Sequence, residues 1–149
     1  MDERVSRLTT PEDCEQFAIN VEVRGDSQLA IEARRRAVEL RAAAHGAASS
    51  AEREALEAVY AYERTLFIKH RKRVRATRTW RMIKQHGIIN AVERVVTRPA
   101  ESTGYIALVK MGLQDKAFES VVLRHPDVFT REAIECCQAR LRDRSDGED

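Results

Sequence analysis

Helix start and stop signals recur along all 149 residues, and they restrict the fold more than any other feature of this chain. Thr10-Pro11-Glu12-Asp13 is a helix start. It supplies a hydroxyl that can cap, a proline at the first helical position, and two acids at the positive end of the dipole. The helix predicted from it, Pro11 to Arg24, stops at Gly25. Asp26 caps a second helix, with Ile31, Val38 and Leu40 among its apolar positions, ending near His45 before Gly46. Ser49 and Glu52 have capping-box spacing. Behind them Leu56, Val59, Tyr60, Phe67 and Val74 return at steps of three, four or seven, one face of a long helix.

The same grammar continues to the C-terminus. Gly87 stops the stretch ending in Lys84-Gln85-His86, and Ile88 to Thr97 resumes with Ile88, Ala91, Val92 and Val95 before Pro99. Ser102 or Thr103 caps Tyr105 to Met111 ahead of Gly112. Leu113 to Arg124 carries Ala117, Phe118, Val121 and Val122 up to Pro126, and Thr130 caps Arg131 to about Arg142. Period-two runs of β-branched residues are lacking. Val21-Glu22-Val23 is the best strand candidate, and a helix accommodates it equally well. The predicted fold is all-α: a compact bundle of about six or seven helices. It forms one domain over residues 1–144, with 145–149 as a frayed acidic tail.

No stretch approaches the ~18 consecutive apolar residues of a membrane span, and the polar opening Met1-Asp2-Glu3-Arg4 lacks the apolar core of a signal peptide. The cysteines, Cys14, Cys136 and Cys137, have no framework spacing and fit a reducing compartment. A soluble cytoplasmic protein with no membrane partner is the expectation.

The formal net charge of +2 conceals a strong segregation. Residues 1–63 hold 8 Lys/Arg against 13 Asp/Glu, and residues 99–149 hold 7 against 10. Residues 64–98 hold 11 against one acid, Glu93. A concentrated positive field thus sits on a mildly acidic body.

The core of that block runs Lys69-His70-Arg71-Lys72-Arg73-Val74-Arg75-Ala76-Thr77-Arg78-Thr79-Trp80-Arg81-Met82-Ile83-Lys84. As one long central basic helix it places Arg71, Arg75, Arg78 and Met82 on a stripe flanked by Lys69, Lys72 and Arg73. Each like-charged pair one turn apart repels by a few tenths of a kcal/mol, and a polyphosphate relieves that repulsion. The excess of arginine over lysine suits bidentate contact with phosphate or guanine. Thr77 and Thr79 add hydroxyls. Trp80, with Met82 and Ile83, is either a stacking surface or core. Two other readings fit the tract: a face that is solvated or neutralised by the acidic blocks, within the fold or across a dimer, and a face docked on an acidic protein.

Arg75 to His86, Gly87 and Ile88 to Arg98 also form a candidate helix-turn-helix, with Asn90 and Arg94 on its second helix. The turn is short for that motif.

Constellations for catalysis are missing. His45, His70, His86 and His125 are scattered, no Cys-x-x-Cys occurs, and no Gly-rich loop could cradle a phosphate. Adjacent Cys136 and Cys137 bridge only with strain. Glu54, Glu57 and Glu63 are expected on a solvated helix face. The sequence therefore predicts no enzyme, cofactor or metal, and a protein that contacts the DNA or RNA backbone. The residues expected to do so are Lys69, Arg71, Lys72, Arg73, Arg75, Thr77, Arg78, Thr79, Arg81 and Lys84, with Asn90 and Arg94 as base-reading candidates. The alternative is a helical interaction module, a homodimer or a partner of an acidic surface, with no nucleic-acid role.

Overall fold

The computed structural model describes the chain except Arg73, residues 99–102 and residues 148–149, and of Lys69, Thr103 and residues 144–147 it describes the backbone alone. The described residues form α1 (Glu3–Ser6), α2 (Pro11–Val23), α3 (Ser27–His45), α4 (Ser50–His70), α5 (Thr77–His86) and α6 (Ile88–Thr97). After these come α7 (Thr103–Lys110), a 3-10 turn η1 (Gln114–Lys116), α8 (Phe118–Arg124) and α9 (Arg131–Gly147). Among the described residues there is no strand, and none of their helices is long and apolar enough to cross a membrane. Val21-Glu22-Val23 lies in α2.

The predicted caps close as their chemistry requires. Thr10 Oγ1 accepts from Asp13 N at 3.1 Å, Asp26 Oδ1 from Leu29 N at 3.1 Å, Ser49 Oγ from Glu52 N at 3.2 Å, and Thr130 Oγ1 from Ala133 N at 3.2 Å. Each satisfies one of the amide donors a helix start leaves open. Three boundaries differ from expectation. The short α1 precedes the first expected helix, Leu113–Arg124 divides into η1 and α8, and α9 reaches Gly147. The expected stops and caps at Pro99 and Ser102, and the last two residues of the expected tail, lie outside the described residues.

Three apolar clusters sit between the helices. Val5, Ala18, Val21, Leu29, Ala30 and Ala33 join α1, α2 and α3. Val38, Ala61, Leu108, Met111, Leu113 and Ala117 join α3 to α4, α7 and the η1 turn. Ala55, Ala58, Val92, Val96, Val121, Val122, Phe129, Ala133 and Cys137 join α4 to α6, α8 and α9. The α4 helix contributes to two of these, and its alanines at the contacts let the neighbours approach closely. Gly112 shapes the turn after α7. Its φ is +72°, and a Cβ there would lie 2.6 Å from Ile31 Cδ1, so only glycine fits without displacement.

The long central basic helix does not exist. α4 ends at His70, Arg71 takes the left-handed conformation (φ 56°) with its N–H on Phe67 O at 2.7 Å, and α5 begins only at Thr77. Cations at the carboxyl end of α4 face the negative end of its dipole, a favourable position denied to them in mid-helix. The break also lets the chain fold back. On a straight helix Trp80 would lie about 30 Å along the axis from Tyr60, whereas the two ring centroids are 5.2 Å apart.

Candidate nucleic-acid interface

Folding back ties the middle of the tract to α4 through one carboxylate. Glu63 Oε2 accepts from Ala76 N at 2.7 Å and from Trp80 Nε1 at 2.8 Å. Trp80 is half-buried, stacked on His45 with centroids 5.3 Å apart and tilted against Tyr60. The Arg75 guanidinium lies 5.6 Å from the indole centroid, and its Nε is 4.0 Å from Glu63. Burial, and then the Glu63 carboxylate, raise the Tyr60 phenol above its ordinary pKa. Trp80 is therefore a clamp that seats α5, and its indole edge is spent on Glu63. The carboxylate also stands at the amino end of α5, where Ala76 provides no side-chain cap.

Losing the continuous helix dissolves the stripe of Arg71, Arg75, Arg78 and Met82. Met82 is 9% exposed and points into the fold, with Thr79, Trp80 and Ile83 half-buried around it. The outward face of α5 carries Thr77, Arg78, Arg81 and Lys84, all exposed, with Thr77, Arg81 and Lys84 at i, i+4 and i+7. Arg71, Lys72 and Arg75 are exposed on the segment before it. The Thr77 hydroxyl donates to Arg75 O at 3.4 Å. Arg73 and the side chain of Lys69 lie outside the described residues.

Many arginines outside this face meet carboxylates: Arg34 with Glu22, Arg35 with Asp115, Arg41 and Arg64 with Glu15, Arg124 with Glu54, Arg140 with Glu119. Arg24, Arg53 and Arg142 are exposed without such a partner among the described residues, but they lie on separate elements, whereas this face groups its cations. Among the described residues, no carboxylate lies within ion-pair distance of Arg71, Lys72, Arg78, Arg81, Lys84 or Arg94; Arg75 has only its long contact with Glu63. The one acid of the block, Glu93, turns the other way and accepts from Thr130 N at 2.6 Å, next to the start of α9.

α5 and α6 pack together, separated by Gly87 alone at φ 86°. Asn90 faces back along the chain, its Nδ2 donating to His86 O at 3.1 Å, so this amide is engaged within the fold. Arg94 is exposed. With Met82, His86, Thr97 and Arg98 it lines a notch of about 370 Å³ between α5 and α6. Arg98 and His86 were not among the sequence candidates, although the four-residue step from Arg94 to Arg98 was visible on the expected helix.

The glutamates of α4 are not a solvated face. Glu57 is 5% exposed and accepts from Lys116 Nζ at 2.8 Å, while Glu39 lies 3.3 Å from the same nitrogen. Glu54 accepts from Arg124 Nε at 2.6 Å and meets His125 Nε2 at 2.5 Å. Burial pushes the Glu54 carboxyl upward, but Arg124 and His125 outweigh it and hold the group below the usual carboxylate range; Arg35 does the same for Asp115. Glu39, Glu54, Glu57, Asp115, Lys116 and Arg124 line a cleft of about 790 Å³ beside α3, α4 and the η1 turn. Among the described residues no three His, Cys, Asp or Glu side chains are grouped to hold a metal ion. The chain matches no protein-family model, no curated protein and no solved structure.

Proposed function

We propose that the outward face of α5, with the segment before it, binds the phosphate backbone of DNA or RNA, and that the protein is a binder with no chemistry of its own. Arg78, Arg81 and Lys84 form the centre of the contact, flanked by Arg71, Lys72 and Arg75. The observation that carries this reading is the grouping of exposed cations: Arg71, Lys72, Arg78, Arg81 and Lys84 follow one another with no carboxylate in ion-pair distance among the described residues, whereas many arginines of the other helices meet carboxylates. Cations that repel one another on one helix face gain most from an anionic partner of regular spacing.

Backbone contact is favoured over base reading. The link between α5 and α6 is one residue, against about three to four in a helix-turn-helix. Asn90, the residue type suited to adenine, is hydrogen-bonded within the fold.

Fluorescence anisotropy with random-sequence duplex and single strands tests the reading. About four to six phosphate contacts give a log–log salt slope of roughly −4 to −5. Absence of binding to every nucleic acid at about 50 mM salt removes it, and capture of the protein by an acidic polypeptide alone would favour protein docking instead.

A further inference from the structure

The notch between α5 and α6 differs in chemistry from the open face of α5. His86 reaches it from the last turn of α5, Arg94 and Thr97 from α6, and Arg98 from the extended residue that follows α6. Among the described residues that line it, none is acidic. Its floor is apolar: Met82 is buried, and one Arg98 nitrogen lies 2.8 Å from Met82 Sδ. That contact is a hydrogen bond from Arg98 Nη2 to the thioether, and it seats the guanidinium head beside Met82. Glu93, the one acid of the basic block, accepts from Thr130 N at 2.6 Å.

We propose that this notch is a binding site for a phosphate monoester, the terminal phosphate of a nucleic-acid strand or of a free mononucleotide. The inference rests in part on the reading of α5 as a nucleic-acid face, because a strand lying along Arg78, Arg81 and Lys84 would bring its end to the adjoining helix. Charge decides the ligand class. Two guanidinium groups and one imidazole line the same notch, where no carboxylate competes among the described residues. A monoester is dianionic near neutral pH and neutralises both arginines, whereas an internal phosphodiester carries one charge. The planar, forked donors of arginine match tetrahedral phosphate oxygens in pairs. His86 adds an imidazole N–H donor to the lining.

The test compares a short single-stranded oligonucleotide carrying a 5′-phosphate with the same strand ending in a 5′-hydroxyl. Adenosine 5′-monophosphate, titrated alone by NMR, is a third probe. The phosphorylated strand should bind about tenfold more tightly, the gain from charge-assisted hydrogen bonds to one added group. That preference should vanish in Arg94→Ala/Arg98→Ala. It should persist in Arg24→Ala/Arg142→Ala, which removes the same charge from exposed positions elsewhere, one just after α2 and one on α9. If the double variant fails to fold, Arg94→Ala alone, at an exposed position, decides in the same way. Equal affinity for the two strands in the wild-type protein, or a preference that survives loss of Arg94, overturns the site. The two proposals fail separately. Mononucleotide shifts confined to α5 and α6 and lost in the double variant, with no strand bound at any salt, would uphold the notch and reject the backbone reading. Strands bound without regard to their ends would do the reverse.

Discussion

Replacing Arg78, Arg81 and Lys84 together by alanine separates a binding face from a structural one, because the two readings predict opposite behaviour in two measurements. All three side chains are exposed on the outward face of α5, and among the described residues none has a carboxylate within ion-pair distance. The change removes two like-charged pairs at i, i+3, each repelling by about 0.2–0.5 kcal/mol. It also substitutes the best helix former for residues close behind it in rank. Stability should hold or rise by up to about 1 kcal/mol, a Tm increase of no more than ~2–4 °C for a chain of this size. If each side chain neutralises one phosphate, the log–log salt slope should become less steep by about 2.7, and affinity at about 0.1 M salt should fall roughly eightfold per contact. Thermal melting by circular dichroism and anisotropy at four salt concentrations give both numbers. Arg64→Ala is the counterpart. That guanidinium is mostly buried, 2.5 Å from Glu15 and 4.4 Å from the Phe67 ring centroid. Its loss should cost about 1–3 kcal/mol with no change in slope. A triple variant that melts several degrees lower, or whose salt slope is unchanged, refutes the assignment of the α5 face.

Glu63→Ala should free both Ala76 N and the Trp80 indole, costing about 1–3 kcal/mol and shifting Trp80 emission as α5 loosens; unchanged emission and Tm would dismiss the clamp. The Glu54 and Asp115 carboxyls are held below their ordinary pKa, so the stability they contribute is present above their unfolded values, near 4, and is lost as pH falls through the folded ones. Melting between pH 7 and pH 2.5 should decline mainly below about pH 4, and Glu54→Gln should flatten that decline; a profile identical to wild type contradicts the coupling. Gly112→Ala should destabilise the protein by about 1–3 kcal/mol, since its φ of +72° and the 2.6 Å approach to Ile31 both oppose a Cβ; a variant with wild-type Tm would show that the turn relaxes freely.

The all-helical class and most helix ends were legible in the sequence because they are local. A cap hydroxyl at Thr10, Ser49 or Thr130 acts on an amide three residues away, and a glycine such as Gly87 stops a helix through its own backbone. The charge segregation was equally plain, since it needs only counting. Pairing was not. Arg64 and Glu15 lie 49 positions apart in the chain and Lys116 and Glu57 lie 59 apart, so no periodicity announces which cations are neutralised and which remain exposed.

Sequence alone thus determined a helical chain with one strongly basic segment. Tertiary structure decided what that segment is: two pieces rather than one helix, folded at Arg71 so that Trp80 returns to Tyr60, His45 and Glu63. Helical periodicity between Phe67 and Trp80 carries no record of that return. Its driving force, burial of an indole against rings and a carboxylate brought by other turns and other helices, exists only once those elements have packed.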